Sequence, residues 1–552
     1  MDDTSIFPEN NDMSIYIGCT NEAPEEKIFP NDLGLRINLG LLLERQAARF
    51  PDNNFIIQAE TGETLTYDEF NKRVNRLSHG LKDHGICPGD YVGIMLSNSI
   101  DFLVSSYALK KIGAIEVSIN STFRGISLIR MINLTGLETL ITSVDYLDVI
   151  AEIATELPRL ERFILTNDAR DTARAAKAFP TRIMLPLSSI LSNCTRDCAI
   201  NTPDDETAGI LFTSGTTGVS KGCAIPHRSS VRAAESMLEA FDLGESDCVY
   251  SPYPLFHCGA AQYDVLPAMM VGARAVIRQG FSVRNFWPEV CKYGATWFMA
   301  LGSVQQLLWA AAECPEETQH RLRFIWGTPL PVNHDAFEAR FKVRLVRGGG
   351  YGSTDAGSVA LPLFHKTGAG KVLDRYEVAI VDERDNPLPT GAVGELIIRP
   401  KEPAIMASCY IGMPEETLKT WRNLWFHTGD LARLDEEGDL YWVARISERI
   451  RVKGEMVSAY EIEEVILSHP AVEDCAVLGA PDGTGEETVH PFITLRENAA
   501  LNLEELKDFC TPRMSRFMVP TSMTLLDIMP RTPSGKPAKA ELSKRFSSPC
   551  GS

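Results

Sequence analysis

At 552 residues the chain exceeds the roughly 250–300 residues at which single hydrophobic cores stop growing, so at least two domains are expected. Hydrophobic residues make up 44% and charged residues 23%, the balance of an ordinary globular protein. The formal charge of -19 excludes a general nucleic-acid binder, because a phosphate backbone would be repelled over most of the surface; a local basic pocket for one anionic ligand remains open.

The thirteen cysteines are scattered, with no CxxC pair and no Cys/His cluster at metal-ligand spacing. Reduced thiols in a cytosolic chain are expected, and no zinc site. Residues 1–26 hold seven Asp/Glu and no Lys or Arg, the opposite of a signal or transit peptide, and residues 1–30 read as a flexible acidic extension. The spacing of Phe70, Val74, Leu77 and Leu81 predicts an amphipathic helix within 65–85. DYVGIMLSN (90–98) reads as a buried strand, LVSSYALKKIG as a helix and AIEVSIN as a further strand; that order implies a parallel sheet with right-handed crossovers. A second set of such units is expected from about 208 to 350. The apolar region WFMALGSVQQLLWAAA (297–312) is interrupted by Ser303, Gln305 and Gln306 and is too short to span a bilayer. Asn120, Asn133 and Asn193 head Asn-x-Ser/Thr triplets, expected to be chance occurrences. YEVAIVDERDNPLPTGAVGELIIRP (376–400) alternates apolar and polar residues around a turn, predicting a small barrel or sandwich. After Arg445, EIEEVILSHPAVEDCAVLG (461–479) reads as helix then strand in a final α+β segment.

The stretch TSGTTGVSKG (213–222) follows the apolar run AGILF. Glycines let backbone N–H groups approach an anion, Ser and Thr add hydroxyl donors, and Lys221 adds a mobile charge. Its spacing is not that of a Walker loop, GxxxxGK[ST], and alone it is also what a surface turn looks like.

Six stretches in the same order remove that ambiguity: YPLFHCGA (253–260), WGTPLP (326–331), GGGYGSTDAG (348–357), WFHTGDLARLDEEGDLYWVAR (425–445), ERIRVKGEMVSAYEIEEVI (448–466) and RTPSGKPAKAEL (531–542). With TSGTTGVSKG they resemble the adenylate-forming superfamily of acyl-CoA synthetases, luciferases and peptide-synthetase adenylation domains, most of all its carnitine-CoA and medium-chain fatty acid ligases. The resemblance runs from about residue 35 to 546. It implies an α/β architecture: a large N-terminal adenylation domain (31–445) of two doubly wound α/β subdomains plus a small β-barrel, then a smaller mobile α+β C-terminal domain (446–552). The implied activity is ATP-dependent ligation of a small-molecule carboxylic acid to coenzyme A. The acid becomes acyl-AMP with release of pyrophosphate and then passes to the thiol, with Mg²⁺ as cofactor. No nucleic acid and no membrane span are expected, the location is cytoplasmic, and a homodimer is among the assemblies allowed.

The resemblance also assigns residues. Thr213, Ser214, Gly215, Thr216, Thr217, Gly218 and Lys221 would hold the β- and γ-phosphates, and Lys536 would bridge the acyl carboxylate and the α-phosphate. Within Gly350, Tyr351, Gly352 and Ser353, Tyr351 would pack on adenine. Thr354 would contact phosphate, and Asp355, with Thr217, would bind Mg²⁺; Asp in place of the usual Glu shortens that arm by one methylene. Asp430 would accept the ribose hydroxyls and Arg445 would close on the ribose. His257 would guard the acyl pocket, lined by Trp326, Gly327, Gly348 and Gly349. Ser447 stands at the hinge, where Asp or Lys is usual, and Lys453 and Gly454 would receive coenzyme A. The alternatives are an adenylating enzyme for another acceptor and a nucleotide-binding pseudoenzyme. A peptide-synthetase module would carry an Asp in the FHCG region and a carrier domain after the lysine, and neither is legible.

Overall fold

The computed structural model describes residues 37–167, 169–177, 179–213, 221–328, 330–331, 333–446, 449–452, 455–481, 487–532 and 535–547. Its core begins with helices that the residue pattern encodes directly. Tyr67–Asp83 starts at a capping box in which Thr66 and Glu69 satisfy each other's backbone N–H groups, and Phe70, Val74, Leu77 and Leu81 on its inner face are fully buried. The strand Tyr91–Met95, the helix Ile100–Ile112 and the strand Ile115–Ser118 follow as expected, the two strands pairing in parallel from Tyr91 opposite Ile115. Ser99 caps this helix and Gly113, at φ 74°, ends it in the left-handed conformation.

Three seven-stranded sheets carry the bulk of the chain. The first orders Ile183–Pro186, Arg162–Leu165, Thr139–Thr142, Tyr91–Met95, Ile115–Ser118, Thr207–Phe212 and Gly222–Pro226. The second orders Arg344–Leu345, Phe324–Trp326, Trp297–Met299, Cys248–Ser251, Arg274–Ile277, Asn54–Gln58 and Thr64–Thr66. Each is parallel except for one antiparallel edge strand supplied by a hairpin. The expected start of the second set near 208 is therefore corrected. Thr207–Phe212 joins the first sheet beside Ile115–Ser118, and the second sheet begins at Cys248 and recruits the distant hairpin 54–66. One apolar cluster holding Leu43, Phe70, Val92, Ile141, Val249 and Trp297 is common to both sheets.

The expected small barrel takes the form of the third sheet. It is antiparallel throughout: Tyr351–Ser353, Gly357–Leu361, Gly370–Val372, Asp439–Arg445, Phe426–Leu434, Gly394–Pro400 and Tyr376–Val381. Beyond it lie the two-stranded Arg449–Val452/Glu455–Ser458 sheet, the helix Ala459–Leu467 and a three-stranded sheet of Val472–Pro481, Glu487–Leu495 and Thr524–Leu525. These share a separate apolar cluster around Ile462, Ile466, Val477 and Leu506. Among the described residues no helix is long and apolar enough to cross a membrane.

His227 opens the helix His227–Ala240 that follows the edge hairpin, and its Nδ1 accepts the Leu39 N–H at 3.2 Å. Burial, reinforced by the Lys110 charge and opposed by Asp204, pushes its pKa down to about 3. An unfolded histidine titrates near about 6.5, so the stability that this neutral ring contributes is complete above that pH and is lost as pH falls below it. His227→Gln, which keeps an acceptor and takes up no proton, is expected to flatten the acid-induced fall in unfolding free energy by on the order of 2 kcal/mol at about pH 4.5. Urea unfolding against pH checks this; an unaltered pH slope would refute the assignment.

Candidate active site

Loops at the carboxyl ends of parallel strands converge where the sheets meet, the usual position for ligands in open α/β sheets. Thr213 follows Thr207–Phe212, His257 follows Cys248–Ser251, and Trp326 ends Phe324–Trp326. The 213–221 loop is closed at its base by the Thr213 N–H donating to the Lys221 carbonyl at 3.0 Å. Ser214, Gly215, Thr216, Thr217 and Gly218 lie outside the described residues, as do Ser447, Lys453 and Gly454.

Asp430 sits within the strand Phe426–Leu434, directly opposite Arg445 on Asp439–Arg445, and its side chain is buried. Tyr351 Oη donates to Oδ2 at 2.6 Å and Trp442 Nε1 to Oδ1 at 3.1 Å. Arg445 Nε approaches Oδ1 at 3.2 Å, while its Nη1 donates to the Thr428 carbonyl at 2.7 Å. Burial raises the Asp430 pKa, and Arg445, the Tyr351 and Trp442 donors and the Lys536 charge oppose that rise. Trp442 went unassigned in the sequence; its ring also meets Tyr460 edge-on at 5.1 Å, tying the carboxylate to the helix Ala459–Leu467.

Lys536 is carried by a tight turn. Thr532 N–H donates to the Lys536 carbonyl at 2.7 Å, Arg531 bridges to Pro537, and Arg531 Nη1 donates to the Gly535 carbonyl at 2.7 Å. Gly535 adopts φ 82°, and the nearest atom that a Cβ on it would meet is Ser303 Oγ, on the helix Gly302–Ala310, at 4.0 Å. The Lys536 charge acts on both Asp430 and His257. Asp430 stands on a strand of the antiparallel sheet and His257 on a loop after a strand of the second parallel sheet, and the charge of one C-terminal lysine is felt at both.

His257 is exposed, directly before the helix that Cys258 begins. Its Nδ1 accepts the Gly259 N–H at 3.1 Å, and Cys258 Sγ lies 3.7 Å from that nitrogen and 3.8 Å from Thr354 Oγ1. The neighbouring Cys258 raises the His257 pKa against burial and the Lys536 charge. Burial alone would push the Cys258 thiol up; His257, Thr354 and the Gly259 N–H outweigh it and bring the thiol below its ordinary range. Cys258 begins a helix that runs to Met270 through a π-helical turn, Ala261–Val265, a feature common at functional sites. A carboxyl does lie on this helix. Asp264 is fully buried, Oδ2 accepts Ser251 Oγ at 2.6 Å, and burial pushes its pKa up to about 8. Burial thus disfavours its ionised form.

Asp355 has both oxygens engaged: Ser353 Oγ donates to Oδ1 at 2.5 Å and Tyr410 Oη to Oδ2 at 2.6 Å. Tyr410 is buried and arrives there because residues 408–411 pair along the edge strand Gly222–Pro226, Ser408 and Ile411 donating to the Ala224 and Gly222 carbonyls at 2.9 and 2.8 Å. The face of the same ring supports Lys221, whose Nζ stands 4.6 Å from its centroid. Lys221 Nζ also reaches Glu416 at 3.1 Å. Tyr410 and Glu416 were missed in the sequence, where nothing local links residues 221, 355 and 410.

Trp326 packs beside Phe241 and Tyr263, each with ring centroids at 6.3 Å. The predicted pocket glycines face protein. A Cβ at Gly327, itself at φ 143°, would come within 2.0 Å of the Ala300 carbonyl oxygen, and one at Gly349 within 1.9 Å of Thr328 Cγ2. At Gly348, Gly350 and Gly352 it would meet the Lys366, Ala360 and Gly357 carbonyl oxygens at 2.8, 3.1 and 2.5 Å. At Gly327, Gly348, Gly350 and Gly352 glycine lets backbones pass closely, and at Gly349 it leaves room for the Thr328 side chain.

A family model described as AMP-binding enzyme matches residues 43–411, and one described as AMP-binding enzyme C-terminal domain matches 461–536. A crotonobetaine/carnitine–CoA ligase of Proteus mirabilis (strain HI4320) is 31% identical over 490 residues, covering 87% of this chain and 93% of its own. Among solved structures, an anthranilate CoA ligase in complex with anthranoyl-AMP aligns with a TM-score of 0.82 at 23% identity, over 94% of this chain and 98% of its own. A Mycobacterium tuberculosis fatty acyl CoA synthetase aligns at 0.69 with 25% identity, over 92% and 98%.

Two substitutions separate stability from binding here. A carboxyl whose folded pKa is raised contributes most stability below its unfolded pKa and loses it as pH rises, so ionised Asp430 is a cost at neutral pH. Asp430→Asn is expected to leave the melting temperature at pH 7 unchanged or higher while weakening AMP binding at least about tenfold; a lowered melting temperature with intact AMP affinity would contradict this. Tyr410→Phe keeps the ring under Lys221 and removes the donor to Asp355. Its expected cost is about 1–3 kcal/mol in denaturant unfolding, and no loss would mean that the bond carries no weight.

Proposed function

The chain belongs to the AMP-binding enzyme family, and from that premise we propose that it acts as an AMP-forming acid–CoA ligase with its chemistry divided among the residues described above. In the first step an acid oxygen attacks the α-phosphorus of ATP, forming acyl-AMP as the bond to pyrophosphate breaks. In the second the thiol of coenzyme A attacks the acyl carbon and AMP leaves. The observation that supports this reading is that Asp430, with its Tyr351, Trp442 and Arg445 donors, and His257 both feel the Lys536 charge. Ribose held by Asp430 and an acid held near His257 would place the reacting carboxylate and phosphate beside one ammonium group, which offsets their repulsion as charge builds at phosphorus.

Asp430 would accept the ribose hydroxyls, its four lone-pair sites leaving capacity beside the Tyr351, Trp442 and Arg445 donors. Tyr351 would lie against adenine. Thr213 and Lys221, with Ser214–Gly218 and Ser353, would hold the phosphates, and Thr354 would contact phosphate. Asp355 fits Mg²⁺ in chemistry, since a carboxylate accepting two hydroxyls still has lone pairs for one hard cation, and Thr217 would be its partner. Mg²⁺ would supply charge neutralisation on the triphosphate.

The acid is proposed to be a small carboxylic acid whose apolar body lies against Trp326 and Tyr263. The Proteus relative is named for crotonobetaine and carnitine, so these acids belong in the first assay panel. Residues 446–552 are proposed to be a domain that swings about Ser447, exchanging Lys536 for Lys453 and Gly454 in the thiol step. A cytosolic setting is supported by the eleven described cysteines, none of which is bridged.

The half-reactions provide the test. Lys536→Ala is expected to lower ATP/pyrophosphate exchange by about 10²-fold or more while thioester formation from supplied acyl-AMP changes by less than about threefold. An equal fall in both would remove Lys536 from its adenylation role, and exchange with no acid in a broad panel would remove the ligase reading.

A further inference from the structure

We propose that Glu416 is an internal competitor for the triphosphate, holding Lys221 until the β- and γ-phosphates displace it. The proposal rests on the reading of Lys221 as a phosphate-binding residue and adds an occupant to it. Lys221 projects from the end of the glycine-rich loop, between the Tyr410 ring at 4.6 Å and the Glu416 carboxylate at 3.1 Å. The two contacts differ in kind. Tyr410 is buried, fixed by edge pairing with Gly222–Pro226 and by its bond to Asp355, so the ring is a permanent floor that leaves the ammonium's donors free. Glu416 is the third residue of the short helix Pro414–Thr420 with its side chain 38% exposed, so it can rotate into solvent at little cost.

Glu416 also has a second cation at hand. Lys419 Nζ lies 3.9 Å from its other oxygen, giving the displaced carboxylate a partner one turn away. The Lys221 charge holds the Glu416 carboxyl below its usual range, so the competing group is fully ionised wherever ATP is. A half-exposed ion pair of this kind is weak, as a latch must be if a triphosphate is to open it. A ligand lacking β- and γ-phosphates gains nothing from opening it. The pair would therefore act as a discriminator, lowering affinity for ATP and pyrophosphate and leaving AMP and adenylate affinity alone.

The experiment is equilibrium binding of ATP and AMP to the full chain at constant magnesium and ionic strength, for wild type, Glu416→Gln and Lys221→Ala. The expected result is that Glu416→Gln binds ATP at least about threefold tighter with AMP affinity unchanged, while Lys221→Ala binds ATP more weakly. Weaker ATP binding by Lys221→Ala together with unchanged or weaker ATP binding by Glu416→Gln overturns the latch alone. ATP binding unaffected by Lys221→Ala overturns the phosphate role of Lys221 itself. Equal tightening of ATP and AMP by Glu416→Gln also overturns the latch, because the effect would then be general electrostatics.

Discussion

A carboxylate taken out of water must be met by donors or it takes up a proton, and Asp430 meets that demand with a phenol, an indole and a guanidinium. Three separate pieces of backbone have to be correct for those donors to arrive. The pairing of Phe426–Leu434 with Asp439–Arg445 sets Arg445 and Trp442 beside it, and the turn before Tyr351–Ser353 delivers Tyr351 from across the sheet. The ionised state is expensive there, and the geometry makes it useful: a fixed acceptor in low dielectric binds hydroxyls more strongly than one in water. Lys536 adds a positive charge from the far end of the chain, which opposes the rise of the Asp430 pKa.

The two parallel sheets explain why so many loops reach one place. In each, hydrogen-bonded neighbours run in the same direction, so every loop that leaves a strand's carboxyl end emerges on the same side. The edge hairpins break that pattern once per sheet. The hairpin 207–226 does so at the glycine-rich loop, and its outer strand then serves as the template for residues 408–411. That one edge pairing brings Tyr410 to Lys221 and Asp355 together. A shortened acid at position 355 is thus held by a tyrosine hydroxyl at 2.6 Å.

Local pattern made the helix Tyr67–Asp83 and the strands Tyr91–Met95 and Ile115–Ser118 legible, because their apolar spacing and caps lie within a few residues of one another. The order of the seven motif stretches made the reaction class legible as well. What stayed hidden depends on separation. Asn54–Gln58 pairs with Arg274–Ile277 across more than two hundred residues, and no period in either segment encodes the other. Trp442 lay inside a recognised stretch, but its indole became an Asp430 donor only once the strand register was known. Glycines 327 and 349 read as room for a substrate in the sequence; a Cβ would meet the Ala300 backbone carbonyl at Gly327 and the Thr328 side-chain methyl at Gly349, contacts that no local pattern announces.

The account stands on one spatial claim, that a single ammonium group from the C-terminal segment serves the ribose carboxylate and the acyl-side histidine together. A crystal structure with a non-hydrolysable acyl-adenylate analogue measures this directly. The account predicts ribose hydroxyls on Asp430 and Lys536 Nζ within hydrogen-bond distance of the analogue's acyl–phosphate linkage. An analogue seated on Asp430 with Lys536 pointing to solvent, and another cation at the linkage, would contradict it.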